Sequence, residues 1–307
     1  MSNAPVAEPW DVVIVGAGPG GLTAATYLGR FRRRVLVIDG GEPRACWIPV
    51  SHNLPGFPQG ITGADILTRM REQAEEYGAV IHSGRVEALE PDGPGFIVRT
   101  DDEAFRARAV LLATGVQDHH PPIPGVERAI QRSLVRICPI CDGYEATGKA
   151  VAVIGDSDMG VREAAFLRTY SNRVTLIHIG PPEALTERQA LIEMNVELVE
   201  TAIENVTLEG DRVTALAWGG AFRSYDFLYS ALGTTPNVGL AEALGARRCD
   251  DGRLEVDDHQ QTSIPGLYAA GDVVRGLNQI AVATAEAAVA STAIHNALRQ
   301  ADGWTVD

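Results

Sequence analysis

The stretch DVVIVGAGPGGLTAATYLGRFRRRVLVID, residues 11–39, predicts a strand, a glycine-rich turn, a helix and a second strand. Gly16, Gly18 and Gly21 form a GxGxxG pattern directly after a continuous apolar run, and Asp39 ends the second strand. In this pattern the first glycine makes a tight turn, the second lets a pyrophosphate approach the backbone, and the third lets the helix pack on the strand. The acid accepts hydrogen bonds from ribose hydroxyls. The stretch therefore predicts a dinucleotide-binding fold.

The same pattern occurs a second time. Residues 151–178, VAVIGDSDMGVREAAFLRTYSNRVTLIH, align without gaps to residues 12–39. Gly155 falls on Gly16, and Gly160 falls on Gly21. Because the packing positions agree, this is an internal repeat, and the chain is predicted to hold two dinucleotide-type folds.

The repeat differs at the positions that would touch a cofactor. Ser157 stands where the first copy has Gly18, and its side chain would crowd a pyrophosphate. His178 stands where the first copy has Asp39 and offers no carboxylate to a ribose. The acids of DSD, residues 156–158, add negative charge where a diphosphate would lie, which the helix N-terminus offsets only in part. The second copy therefore keeps the architecture of the fold, but its binding site is predicted to be degraded.

Composition excludes several classes of function. The formal net charge is −14 and no basic stretch is long enough for a phosphate-binding face, so no nucleic-acid partner is expected. No apolar run approaches the roughly 20 residues that span a bilayer, and MSNAPVAEPW does not resemble a signal peptide. We therefore expect a cytoplasmic protein that does not act at a membrane.

The segment ICPICDGYE, residues 137–145, carries the reactive candidates. Cys138 and Cys141 form a CxxC pair, and Asp142 follows the second cysteine. A CxxC arrangement lowers the pKa of a cysteine and allows a disulfide with a small loop.

A zinc site is the competing interpretation of this pair. Zinc requires four ligands, usually two CxxC-like pairs or one pair with two histidines. Cys46 and Cys249 are single and distant, and His119 and His120 would face different ways on an extended chain. No metal is therefore expected.

Several segments together resemble the low-molecular-weight thioredoxin reductases and their relatives. In chain order they are GAGPGGLTAA, HNLPGFPQGITGADIL, LLATG, the CxxCDG pair, ALGTTPN and GLYAAGDV, and they cover nearly the whole chain. The resemblance implies an α/β protein of two doubly wound three-layer domains, the second inserted into the first. Residues 1–117 and 247–307 would bind FAD, and residues 118–246 would form an NAD(P)H-binding-like domain carrying CxxC. It also implies a homodimer.

The resemblance further assigns roles to single residues. Cys141 would face and react with the flavin, Cys138 would exchange with the substrate, and Asp142 would donate or accept the proton. Asn53 and Gln279 would lie near the flavin ring. The residues expected along the rest of the FAD are Thr114, Gly115, Gly271 and Asp272.

One departure from the family decides between functions. The family's reductases hold NADPH with GxGxxA and a His-Arg-Arg run, whereas this chain has GDSDMG and HIG. Arg188 could take the place of those arginines, although no spacing argument compels it. We therefore expect weak or absent direct use of NADPH. The protein would be either a dithiol oxidase that uses oxygen or a reductase fed by a ferredoxin-type donor.

Two alternative functions remain open from the sequence. One is an ordinary NADPH-dependent thioredoxin reductase, and the other is a flavin-bound redox sensor without turnover. The substrate also stays open, because a thioredoxin-like protein, another protein and a small-molecule dithiol or disulfide all suit the pair. Cys46 could lie near the flavin, since Asn53 follows seven residues later, but a small buried apolar residue is the favoured interpretation. His52 and Trp47 could lie near the flavin or serve packing, and the sequence does not separate these roles.

Overall fold

The computed structural model describes residues 8–122, 125–200, 203–209, 212–217 and 221–304. The described strands are β1 (Trp10–Val15), β2 (Val35–Asp39), β3 (Val80–Ser83), β4 (Val86–Asp92), β5 (Gly95–Thr100), β6 (Ala104–Leu112), β7 (Val116–Asp118), β8 (Val135–Arg136), β9 (Ala150–Gly155), β10 (Arg173–His178), β11 (Glu197–Glu200), β12 (Ile203–Glu209), β13 (Arg212–Ala217), β14 (Ala221–Tyr225), β15 (Phe227–Ala231), β16 (Thr234–Pro236) and β17 (Leu267–Ala269). The described α-helices are α1 (Pro19–Arg30), α2 (Gly63–Glu76), α3 (Val126–Gln131), α4 (Pro139–Asp142), α5 (Asp158–Leu167), α6 (Arg188–Glu193), α7 (Gly239–Ala243) and α8 (Ile280–Ala301).

The chain divides into two compact units, which differ in two places from the predicted domain limits of 1–117 with 247–307 and of 118–246. The second unit holds Trp47–Thr62 together with Asp118–Thr235, and the rest of the chain forms the first unit.

Packing explains both differences. Trp47 packs against the hydrophobic core of the second unit, and a bridge from Ser51 to Ile61 closes its segment on itself. The segment 236–246 instead contributes buried residues, among them Val238 and Ala241, to the core of the first unit. Which unit binds which cofactor stays a prediction.

The first unit is built on a sheet in the order β3-β2-β1-β6-β5-β4, with β17 paired to β6. The strands β1, β2, β3, β6 and β17 run parallel, and β4 and β5 add an antiparallel edge. Val13 and Ile14 in β1 are fully buried, as expected for a parallel strand with both faces covered. The helices α1 and α8 pack against each other. The long C-terminal helix predicted at about 280–300 is α8.

The second unit repeats this plan. Its sheet has the order β11-β10-β9-β15-β8, with all neighbouring strands parallel. The unit β9–α5–β10 follows the same course as β1–α1–β2, so the predicted repeat and the α/β class are confirmed. None of the helices in the described part of the chain is long and apolar enough to cross a membrane.

Candidate functional site

The first glycine turn is shaped by contacts that exclude side chains. Gly16 has φ +107°, and a Cβ there would lie 2.4 Å from the carbonyl oxygen of Ala113. A Cβ on Gly21 would lie 1.9 Å from the carbonyl oxygen of Gly16. Gly16 is therefore required by its positive φ and by the backbone that follows β6, and Gly21 by the close approach of α1 to the turn after β1, independently of any ligand.

Gly18 is different, because nothing in the protein fills the space beside it. Its φ is −74°, and the nearest atom to a Cβ built there is 3.9 Å away, in Pro43. Gly18 caps α1 without a side-chain hydrogen bond, and the first turn of α1 carries no acid. The first N–H groups of a helix have no intrahelical partner and favour an anion, so this turn fits the pyrophosphate of FAD.

Asp39 lies at the end of β2, the strand next to β1. Its Oδ1 accepts a hydrogen bond from the backbone N–H of Gly41 at 3.0 Å, and its other oxygen pairs with Arg71. The carboxylate is thus fixed at the carboxyl edge of the sheet, where a ribose would lie.

Four of the predicted FAD residues follow two adjacent parallel strands. Thr114 and Gly115 come after β6, and Gly271 and Asp272 come after β17. Carboxyl ends of parallel strands meet at one edge, so the structure brings these residues to the same edge as Gly16 and Asp39. The two glycines have φ +63° and +87°, respectively, which favours glycine at both turns.

A buried acid on α8 was missed by the sequence analysis. Glu286 is 7% exposed; its Oε2 accepts the N–H of Gly271 at 2.8 Å, and its Oε1 lies 2.9 Å from Nε of Arg275. It fixes the turn after β17, on which the predicted site depends. The available signal was a single acid inside an Ala-rich helix.

The two residues predicted near the flavin ring lie in different units. Gln279 caps α8, and its side-chain amide donates to the carbonyl oxygen of Asn278 at 3.2 Å. Asn53 belongs to the second unit, where its Oδ1 accepts from Ser51 Oγ at 3.1 Å. Their roles at a flavin stay predictions.

The cysteine pair is a disulfide in this structure, between Cys138 and Cys141. Pro139–Asp142 form the short helix α4, and Cys138 caps it, with its sulfur accepting the N–H of Cys141 at 3.2 Å. Both cysteines are half-buried. The pair is therefore formed, partly accessible and held by its own backbone.

Asp142 is held in place by two neighbouring strands. Its Oδ2 lies 2.9 Å from Nη1 of Arg136, and its backbone carbonyl accepts from the same nitrogen at 3.2 Å. The hydroxyl of Tyr229 donates to that carbonyl at 3.1 Å. Burial raises the pKa of Asp142 above its ordinary value, and the charge of Arg136 opposes that rise. An acid with a raised pKa is suited to proton transfer near neutral pH.

The second glycine turn keeps the packing of the first. A Cβ on Gly160 would lie 2.9 Å from the side chain of Leu176 and 3.2 Å from the Cα of Gly155. These positions are therefore glycine for the same reason as in the first turn.

The start of α5 is tied by hydrogen bonds to the segment 186–187. The Oδ1 of Asp158, at the start of α5, accepts the N–H groups of Thr186 at 2.7 Å and of Glu187 at 3.0 Å. Its Oδ2 accepts the hydroxyl of Thr186, and Arg162 pairs with Glu187 at 3.0 Å. We call Asp158, Arg162, Thr186 and Glu187 the clasp. The clasp places a carboxylate where the first turn has none.

His178, which stands where the first copy has Asp39, is a buried residue. His178 is 2% exposed, with its Nε2 3.0 Å from the carbonyl oxygen of Pro181. Arg188, the arginine that could have replaced the family's cations, pairs with Glu200 through Nη1 at 2.7 Å. Among the described residues, the second turn therefore differs from the first in two ways: an acid stands in the first turn of its helix, and a histidine replaces the acid at the end of its second strand.

The remaining predictions concern single residues. Cys46 is exposed, and the prediction that it is buried was wrong, because Ala45 occupies the buried position of that turn. Partial desolvation and the nearby carboxylates of Asp39 and Glu42 raise the pKa of the Cys46 thiol, which disfavours its reactive thiolate. Cys249 is exposed. Among the described residues no group of three or more His, Cys, Asp or Glu is placed to hold a metal ion.

A dinucleotide fold and a CxxC disulfide in one α/β chain define a flavoprotein disulfide oxidoreductase. The model of the family described as pyridine nucleotide-disulphide oxidoreductase matches residues 10–287. The chain is 33% identical over 278 residues to a thioredoxin reductase of Mycolicibacterium smegmatis, covering 86% of this chain and 88% of the relative.

Solved structures agree with this assignment. The crystal structure of HlmI matches with a TM-score of 0.89 and 30% identity, over 98% of this chain and 96% of HlmI. The thioredoxin reductase of Streptococcus pyogenes MGAS5005 matches with a TM-score of 0.86 and 26% identity, over 95% of this chain and 98% of the other. The chain therefore belongs to the pyridine nucleotide-disulphide oxidoreductase family, as a thioredoxin reductase-like, FAD-dependent enzyme.

Proposed function

We propose that this enzyme exchanges dithiols and disulfides at Cys138 and Cys141 with little or no direct use of NADPH. The observation that supports this most is the clasp, which puts the Asp158 carboxylate at the N-terminus of α5. A diphosphate at the N-terminus of α5 would meet the like charge of this carboxylate.

In the oxidising direction the substrate is a dithiol. One substrate thiolate attacks the sulfur of Cys138, the Cys138–Cys141 bond breaks, and Cys141 leaves as a thiolate. The second substrate thiolate then attacks the mixed disulfide, releasing the oxidised substrate and the Cys138 thiolate. Two electrons pass to the cysteine pair, and the two substrate protons leave, one of them to Asp142 and the other to water.

The remaining steps depend on the cofactor. FAD supplies a two-electron acceptor that lets the dithiolate close again to a disulfide. Oxygen is the terminal acceptor that balances the oxidising direction, being reduced to hydrogen peroxide by two electrons and two protons. In the reducing direction a ferredoxin-type protein would supply the electrons instead.

We further infer that the partner is a thioredoxin-like protein or a small-molecule dithiol or disulfide, and that the enzyme is a cytoplasmic homodimer. The name of the M. smegmatis relative supports a thioredoxin-like partner. Light scattering of the purified protein tests the homodimer directly.

The test of the exchange reaction is aerobic turnover. Purified FAD-loaded protein is given dithiothreitol or a reduced thioredoxin, and hydrogen peroxide is measured. The proposal expects catalytic peroxide formation that Cys138→Ser and Cys141→Ser both abolish while FAD stays bound. Peroxide formation that survives in both variants would exclude the cysteine pair as the entry point.

The second candidate is an ordinary NADPH-dependent thioredoxin reductase. The names of relatives at 33% identity and at a TM-score of 0.86 favour it. It predicts NADPH-driven reduction of a thioredoxin disulfide by the wild-type protein at rates typical of an enzyme, about 1 s⁻¹ or more. The same assay without turnover would remove this candidate.

A further inference from the structure

Three side chains of the second unit share the sheet face next to the cysteine turn. In the parallel pair β8–β15, Arg136 lies in register with Tyr229. Residues opposite each other on paired strands project to the same face, and residues two apart on one strand do so as well. Phe227, two residues before Tyr229, therefore belongs to the same face.

These side chains converge on Asp142. The guanidinium carbon of Arg136 lies 3.9 Å from the ring centroid of Phe227, and this cation–π contact stabilises the cation. Arg136 reaches both the carboxylate and the carbonyl oxygen of Asp142, and Tyr229 donates to that carbonyl. Burial raises the pKa of Tyr229, so its phenol stays protonated and remains a donor.

Stability alone does not explain a cation at this position. Arg136 is 9% exposed, and its Nε has no hydrogen-bond partner among the described residues. Burying an ion pair is expensive, and apolar residues of similar volume often give equal or greater stability. A buried charge directed at the acid that follows a CxxC pair is therefore better explained by chemistry at that acid.

We propose that Arg136 is a positioning residue for the exchange reaction, fixing the Asp142 carboxylate beside the cysteine pair and favouring its charged, proton-accepting form. This inference rests on the proposed function, since it requires that Cys138 and Cys141 exchange with a dithiol. Arg136 acts through Asp142 and needs no contact with substrate or flavin.

The charges around Asp142 come from every element packed on it. Arg136 on β8 favours the carboxylate, whereas burial and the neighbouring carboxylate of Glu145 favour the protonated acid. The helix α5, which packs against α4, carries Glu163, whose pKa burial raises to about 8. Beyond α5, the ring of Tyr170 lies against Gly143.

The direction of the effect follows from these charges. Replacing Arg136 by a neutral residue removes the one cation facing Asp142 among the described residues, so its pKa rises further. Asp142 then becomes a base only at higher pH, and the rising limb of the pH–rate profile moves in the alkaline direction. An arginine this close to an acid lowers its pKa by about 1–3 units, so we expect an alkaline shift of about 1–3 pH units.

The experiment is stopped-flow reduction of the FAD-loaded protein by dithiothreitol without oxygen, from about pH 5 to 9. The variants are R136M, R136K, D142N and the double variant R136M/D142N. The variant E163Q shows whether the titration of Glu163 contributes to the pH–rate profile. R136Q replaces R136M if the methionine variant does not retain flavin. The ionisation of dithiothreitol itself is common to all variants and cancels in the comparison.

We expect an alkaline shift in R136M, a smaller one in R136K, and no further change when R136M is added to D142N. The proposed role of the charge would be overturned if the rising limb of the pH–rate profile lay at the same pH in R136M as in the wild type. Equal shifts of this limb in R136M and R136K would overturn it as well. Additive effects in the double variant would show that Arg136 acts independently of Asp142 and would also overturn it. Failure of the wild-type protein to react with dithiothreitol would instead remove the proposed function, so the two failures are distinct.

Discussion

At the scale of single residues, the two glycine turns separate packing from ligand binding. Gly16, Gly21 and Gly160 are glycines because backbone or side-chain atoms lie too close for a Cβ. Gly18 has an ordinary φ and open space beside it, so no contact within the described protein requires glycine there. We propose that a bound pyrophosphate accounts for its small size.

Gly18→Ala should therefore reduce FAD binding and leave the fold nearly intact. A methyl group forced into the space of the pyrophosphate is expected to weaken FAD binding by about 1–3 kcal/mol. The measurements are the ratio of flavin to protein after purification and the thermal midpoint of the flavin-free protein.

Gly21→Ala is the matched control. Its Cβ would lie 1.9 Å from the carbonyl oxygen of Gly16, so this variant should be destabilised even without FAD. Equal flavin content in Gly18→Ala and the wild type would show that the pyrophosphate does not lie at this turn.

At the scale of elements, α5 differs from α1 in its start and in one half-buried acid, Glu163. The segment AGP, residues 17–19, leads into α1, and the segment DSD, residues 156–158, leads into α5. The clasp depends on Asp158, the second of the two acids in DSD. Glu163, further along α5, has a buried oxygen without a hydrogen-bond partner among the described residues.

Giving α5 the start of α1 should improve NADPH binding. The triple variant D156A/S157G/D158P removes two negative charges, each of which would repel a diphosphate by about 1 kcal/mol at a distance of about 4 Å in water, so binding should tighten by up to about 30-fold. Calorimetry of the FAD-loaded protein measures this, with the exposed D101N as the matched control. An unchanged affinity would mean that neither the clasp nor its charge excludes NADPH.

The acid within α5 should make stability depend on pH. Burial raises the pKa of Glu163 from its ordinary value of 4.5 to about 8. The unfolded chain loses this proton near pH 4.5, whereas the folded protein keeps it up to about pH 8, so stability falls as pH rises between these values. E163Q should therefore raise the free energy of unfolding near pH 8 by about 1–3 kcal/mol and have little effect at pH 4.

Urea-induced unfolding at both pH values measures this effect. Glu193→Gln, at an exposed position at the end of α6, is the control and should give no gain that depends on pH. A gain from E163Q that is equal at both pH values would contradict the account of Glu163 as a buried acid.

At the scale of the whole molecule, the sequence predicted what depends on local spacing. The repeat and the CxxC pair are readable because their residues are close along the chain and have fixed separations. Arg136 meets Tyr229, and Gly271 meets Glu286, only because strands and helices distant in sequence are packed together. Cys46 was assigned wrongly because its short turn has no periodicity that shows which of two small neighbours is buried.

We propose that in the oxidising direction a dithiol reduces the flavin by way of the cysteine pair, with little or no part for a nicotinamide cofactor. An anaerobic titration of the FAD-loaded protein with NADPH, then NADH, then dithiothreitol, following flavin absorbance, distinguishes these two electron sources. We expect no bleaching at near-stoichiometric NADPH or NADH, followed by bleaching with dithiothreitol that Cys138→Ser abolishes. Fast bleaching by near-stoichiometric NADPH would contradict the account and make the protein a pyridine nucleotide-driven reductase.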